Sequence, residues 1–308
     1  MGRGVTAALC RFGGIMRFDF DWVDAFSDVP FGGNGCAVVH GGAELSNAVC
    51  MEYVKETSLV ECTFTGPSDV ADLRVRYFLA SREIPFAGHP TIATVMAARA
   101  RGLVCDGALT LETQAGIIPV EVHGSQVKMT QNTPVFGKKV PKEIVAAVGG
   151  LDAGDIIAPP QIVSTGLPFC VTVLKDRTAL DRLVLDVPAL HALGRFLDQP
   201  DIDLMEPFWV TMSGATAQGD TYSRLLLAPP SPAEDAFTGS ATGAMAAYLW
   251  ENGLINSPDF IAEQGHSIGR PGKASVRVLG DPGAITGVEV SGQGIIVMSG
   301  NVFLPGSH

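Results

Sequence analysis

The chain has 308 residues, 46% hydrophobic and 17% charged, with 21 Lys+Arg against 32 Asp+Glu for a formal net charge of −11. So apolar a sequence can bury a core, which excludes intrinsic disorder. Its acidity suits neither phosphate backbones nor anionic lipid surfaces, and no run of about 18 apolar residues offers a bilayer span, so neither nucleic acid nor membrane is an expected partner.

Residues 1–15 hold Gly2, Gly4, Gly13, Gly14 and two arginines, with an apolar run shorter than a signal-peptide core. Gly2 with Thr6 fits the loose myristoylation pattern; the plainer reading is an extension ahead of a folded chain that opens at Met16. A first strand is expected over 17–26, then an amphipathic helix over 46–56 capped by Ser46. Leu73, Val75, Tyr77 and Leu79 alternate with Arg74, Arg76 and Phe78, the period of a strand. Pro90 falls in the first turn of a helix that runs to Arg101 and is stopped by Gly102. That helix is apolar on most faces, as is a second over 241–250, so both are expected inside a sheet. Further strands are expected over 274–279, 287–290 and 294–303. The six cysteines (Cys10, Cys36, Cys50, Cys62, Cys105, Cys170) form no CxxC pair and no cluster with histidine. They read as reduced thiols of a cytoplasmic protein, and no metal site is expected.

The sequence repeats itself. Residues 87–104 can be laid over 238–255, an offset of 151, with Gly, Thr, Ala, Gly and Leu coinciding. Each copy follows a strand opening with arginine (76–80 and 224–228), and each is a glycine-led helix ended by glycine. Two halves of one architecture follow: residues 16–135 as an N-terminal lobe, which the last strand (294–303) is placed to join, and 136–293 as a C-terminal lobe, with the seam within 131–151.

Candidate chemistry concentrates at the two glycine-led helix starts, Gly88-His89 and Gly239-Ser240, where free N–H groups and the positive dipole end can cradle a carboxylate. Simple capping is the plain alternative. Glu61 interrupts an apolar run whose neighbours Leu59, Val60 and Phe64 are expected to be buried. It is either an edge-strand glutamate facing water or a carboxyl whose pKa is raised by desolvation, fit for proton transfer. Asp235 and Glu234 stand just before Gly239. The G-x-S-x-G spelling at 265–269 lacks the helix a nucleophile elbow needs, because Arg270-Pro271-Gly272 follows, so a turn is expected around Ser267.

Read in order, Phe20-Asp-Trp-Val-Asp-Ala-Phe26, Gly33-Asn34, Glu61, Ile84-Pro-Phe-Ala-Gly-His-Pro-Thr91, Glu234-Asp-Ala-Phe-Thr-Gly-Ser-Ala241 and Gly269-Arg-Pro271 resemble the PhzF family of phenazine-biosynthesis-like proteins, from about residue 17 to 303. The resemblance implies an α+β fold of the diaminopimelate epimerase type: two pseudo-symmetric lobes, each a strongly curved, mostly antiparallel sheet or barrel around a central helix. It implies a cofactor-independent isomerase, usually a homodimer, acting on a small carboxylate-bearing substrate. Glu61 would be the acid/base, with His89 and Asp235 beside it as catalytic residues. Gly88, Gly239, Ser240, Thr238 and Asn34 would bind the substrate. The two facing cysteines of related epimerases are replaced by His89 and Ser240, so no two-thiol pair is expected, and Cys36 and Cys62 read as packing residues. The chain departs from the pattern at Gly35, Val60, Cys62 and Ala236, where the family often has Pro, Ser, Thr and Pro. The altered neighbours of Glu61 and Ala236 motivate a different reading, a carboxylate-binding or partner-binding protein that kept the site and lost turnover.

Overall fold

A computed structural model describes residues 14–200, 204–229 and 231–306, so Gly2 and Thr6 of the myristoylation pattern lie outside the described residues. The first half consists of β1 (Ile15–Ala25), β2 (Asn34–His40), α1 (Asn47–Thr57), β3 (Cys62–Gly66), β4 (Leu73–Phe78), β5 (Glu83–Ile84), α2 (Gly88–Ala100), β6 (Gly107–Thr113), β7 (Gly116–His123) and β8 (Gln126–Gln131). The second consists of β9 (Val135–Lys139), α3 (Lys142–Val148), β10 (Gln161–Ser164), β11 (Pro168–Leu174), α4 (Arg177–Asp181), α5 (Val187–Phe196), β12 (Pro207–Thr211), β13 (Thr221–Leu226), β14 (Glu234–Asp235), α6 (Gly239–Glu251), β15 (Asp259–Gln264), β16 (Gly272–Leu279) and β17 (Gly287–Pro305).

The pairing explains the repeat. In the first half β1 and β2 are antiparallel, β2 and β3 parallel, β3 and β4 antiparallel, β4 and β6 parallel, and β6, β7 and β8 form a meander. The second half takes the same steps through β10, β11, β12, β13, β15, β16 and the start of β17. At the seam β8 pairs with residues 288–293 of β17, whose remainder pairs along β1. The first barrel is thereby closed by a strand from the far end of the chain. Beyond Gln131 the chain runs on into β9, which pairs with β10.

Each barrel encloses a helix. α2 is buried at every residue from Gly88 to Ala98, and α6 is buried at Gly239 and from Ala241 to Leu249. This is what helices apolar on most faces require. Ser46 caps α1 by accepting from Val49 N, and α1 packs outside the barrel through Cys50, Tyr53 and Val54. The strands expected over 287–290 and 294–303 are one strand of 19 residues. Gly292 and Gly294 do not break it. A β-carbon on Gly292 would lie 2.4 Å from Phe26 and 2.9 Å from Ile92, and one on Gly294 would lie 2.9 Å from Met96, so these glycines let β17 pass close to α2.

Candidate active site

β5 and β14 are two-residue strands that pair with the ends of β4 and β13 and turn the chain into α2 and α6. The two helix starts meet. A β-carbon on Gly88 would stand 2.9 Å from Ser240 N and 3.2 Å from Gly239 Cα. Neither N-cap residue, Ala87 or Thr238, supplies a side-chain cap. Two positive dipole ends with first-turn N–H donors therefore converge on one place, which favours negative charge there. The Tyr77 and Thr91 hydroxyls, 2.8 Å apart, tie the first turn of α2 to the barrel wall.

Side chains from both halves gather at this point. Asn34, the first residue of β2, donates from Nδ2 to Asp235 Oδ1 (2.6 Å) and to the Phe237 carbonyl (2.9 Å), and the same nitrogen is 3.1 Å from His89 Nδ1. Flipping the amide would set its oxygen against a carboxyl and a carbonyl, so its partners fix its orientation. An amide nitrogen only donates, so in its contact with Asn34 the His89 Nδ1 accepts, sharing two amide protons with Asp235 and Phe237. The neutral ring then carries its proton on Nε2, which is buried and has no hydrogen-bond partner among the described residues. Asp235 also accepts from the Thr238 hydroxyl (2.6 Å), and Gln264 braces the same turn through Thr238 N and the Asp235 carbonyl. Thr238 thus directs its hydroxyl into the protein, whereas Ser240 is half-buried at the start of α6.

Glu61 lies immediately before β3, with its side chain 14% exposed and Oε2 3.5 Å from His89 Nδ1. The expected burial of its neighbours holds for Phe64 but not for Leu59 and Val60, which are half-buried. The reason is Ser58, whose left-handed backbone (φ 56°) ends α1 and makes 59–61 a connection rather than a strand. The Glu61–His89 contact is not an ion pair at neutral pH. Burial, with a smaller push from Asp235, raises Glu61 to about 8, and burial lowers His89 to about 3. Burial likewise raises Asp235, against the hydrogen bonds from Thr238 and Asn34. A neutral acid and a neutral imidazole therefore face each other beside two helix N-termini, an arrangement able to exchange a proton with a bound carbon acid.

Cys36 and Cys62 are buried free thiols, and burial raises the Cys62 pKa to about 12. Residues 266–268 form a single 3₁₀ turn between left-handed Gly265 and Gly269, and the Ser267 hydroxyl donates to Glu234. Gln264 gave no signal in the sequence, because a fully buried glutamine at a strand end is spelled like an exposed one.

Residues 23–300 match the family model PhzC-PhzF, phenazine biosynthesis-like protein. The chain is 31% identical over 293 residues to trans-2,3-dihydro-3-hydroxyanthranilate isomerase of Pseudomonas chlororaphis, covering 92% of this chain and 98% of that one. It is 30% identical over 289 residues to the uncharacterized isomerase YddE of Salmonella typhimurium, covering 89% and 95%. Among solved structures, the Bacillus anthracis PhzF-family phenazine biosynthesis protein superposes with a TM-score of 0.81 at 26% identity, covering 93% of this chain and 99% of that one. A hydroxyproline epimerase of Agrobacterium vitis shares the fold at a TM-score of 0.63 and 14% identity, covering 96% and 94%. The epimerase-type α+β fold and its enclosed helices thus come with sequence kinship along nearly the whole chain: it belongs to the PhzC-PhzF family of phenazine biosynthesis-like proteins and is an isomerase.

Proposed function

We propose that the chain moves a proton between carbons of a small carboxylate-bearing substrate without a cofactor, with Glu61 as the acid/base. The supporting observation is the Glu61 carboxyl, desolvated and facing His89 at the junction of two uncapped helix starts. An ionised Glu61 takes a proton from one carbon and returns it to another, so the carboxyl is regenerated in each turnover and needs no second reagent. The N–H groups of Gly88, Gly239 and Ser240 hold the substrate carboxylate and stabilise the charge that builds as the C–H bond breaks. His89 offers its Nε2 proton to the same charge. Asn34, itself held by Asp235, keeps His89 in that tautomer, and Thr238 orients Asp235.

The relatives suggest the first probe. Trans-2,3-dihydro-3-hydroxyanthranilate incubated in D2O with the wild-type chain is expected to gain deuterium on carbon, and Glu61→Gln is expected to abolish the gain while remaining folded. Unchanged exchange in Glu61→Gln would remove Glu61 from the mechanism. Tight binding of this and other small carboxylates, with no exchange into any of them, would favour the lapsed binding protein.

A further inference from the structure

We propose that Arg270 is a positioning residue for this site, holding the 32–34 turn of the first half so that Asn34 keeps its amide on His89 and Asp235. The proposal rests on the reading of the site given above. Arg270 follows the 3₁₀ turn after β15, and its backbone N–H bonds the Gly265 carbonyl at 3.0 Å. Its side chain reaches into the other half of the molecule. Nε donates to the Gly33 carbonyl (2.9 Å), and Nη2 donates to the Gly32 carbonyl (3.0 Å) and to Asp24 Oδ1 (2.8 Å).

Three features make this a fixed clamp rather than a surface ion pair. Asp24 is 1% exposed, and its other oxygen accepts from Phe31 N (2.7 Å), so the carboxylate fastens both ends of the 24–31 loop. The next residue after Arg270 adds a backbone bond, Gly33 N to the Pro271 carbonyl at 2.9 Å. Gly33 itself is left-handed (φ 53°), and a β-carbon there would fall 2.1 Å from the Ala25 carbonyl, so the turn admits no other residue. A planar guanidinium satisfies three divergent acceptors at once, which a lysine ammonium on a flexible stem does not do with the same geometry. Asn34 is the next residue along the chain, and its single nitrogen contacts His89, Asp235 and Phe237. Displacing the turn by a fraction of an ångström would break the contact to His89 first, because at 3.1 Å it is the longest of the three.

The test reads His89 directly. In protein carrying ¹⁵N-labelled histidine, the ring signal lost in His89→Gln identifies His89, and Asn34→Ala moves its Nδ1 signal toward that of an unbonded ring nitrogen. Arg270→Ala is expected to move the signal in the same direction, and Arg270→Lys to move it less. Arg277→Ala, which removes an exposed partner of Asp259, leaves it in place. With a substrate that the wild type turns over, kcat is expected to fall about tenfold to a hundredfold, with KM within about twofold. A folded Arg270→Ala whose His89 signal matches the wild type overturns the proposal. If Arg270→Ala does not fold, unchanged His89 signals in both Arg270→Lys and Asp24→Asn overturn it equally. The spectroscopic reading needs no turnover, so an inactive wild type would sink the isomerase mechanism and leave this result standing.

Discussion

A β-carbon added to Gly88 would come 3.1 Å from the carbonyl carbon of Gly239, so the first turns of the two enclosed helices touch backbone to backbone. The neighbouring atoms are main chain and cannot rotate away. Gly88→Ala is therefore expected to cost about 1–3 kcal/mol in urea unfolding, as overpacked cores do. It should also lower exchange activity more than the stability loss alone explains, because it pushes apart the donors proposed to hold the carboxylate.

Glu61 makes stability depend on pH in the direction opposite to an ordinary paired carboxylate. Its folded-state pKa is about 8, against 4.5 for the free group. The native state therefore binds the proton more tightly, and the associated stability is full below about 4.5 and is lost as pH rises through about 8. Glu61→Gln, which cannot ionise, should match the wild type near pH 5 and exceed it near pH 9 by on the order of 2–4 kcal/mol. Thermal unfolding at the two pH values checks this. Exchange activity should run the other way, rising toward about pH 8 as the carboxylate forms, with no second inflection from His89, which burial holds near 3.

The two halves repeat an ion pair as well as a fold. Arg76 forks onto Glu83 with bonds of 2.9 and 2.8 Å, and Arg224 forks onto Glu234 with bonds of 3.1 and 2.6 Å. In both halves the pair joins an enclosing strand to the short strand that leads into a central helix. The carboxylates differ in burial: the Glu83 side chain is 18% exposed and the Glu234 side chain 4%. Removing an arginine strands its carboxylate, so Arg224→Ala is expected to cost about 3–5 kcal/mol and Arg76→Ala less, because Glu83 can rehydrate. Chemical denaturation of the two variants side by side measures the difference.

The helices and the repeat were legible because their signals are local. Gly88, Pro90 and Gly102 punctuate α2, and Gly239 and Gly253 punctuate α6. The closure of the first barrel by β17 was less so, since pairing Ile15 with Pro305 is a long-range fact that no window of sequence contains. The runs 287–290 and 294–303 are one strand, because Gly292 and Gly294 continue it past Phe26, Ile92 and Met96, a close approach that only the packed structure displays. At the site, Glu61, His89 and Asp235 stood out as titratable residues in apolar or glycine-rich surroundings. Gln264 and Arg270 act through contacts made across the fold, and polar residues of those types occur throughout exposed loops.

Arg101 offers a separation of stability from chemistry. It stands at the C-terminal end of α2, about 20 Å along the helix from Gly88 at 1.5 Å per residue, and it donates to Asp21, whose side chain is 3% exposed. Burial alone would raise the Asp21 pKa, but hydrogen bonds from Arg101, Ser299 and His40 outweigh it and bring the pKa below its ordinary value. A lowered folded-state pKa contributes stability that is present above about 3.8 and lost as pH falls through the folded value. Arg101→Ala should therefore cost about 3–5 kcal/mol at neutral pH by leaving a buried charge poorly paired, and the deficit should shrink below about pH 4 as Asp21 takes up a proton. Exchange activity measured well below the melting temperature should stay within about twofold of the wild type, since α2 is held at its other end by Tyr77 and Thr91. A large loss of activity in folded Arg101→Ala would mean that the far end of the helix sets the geometry at Glu61.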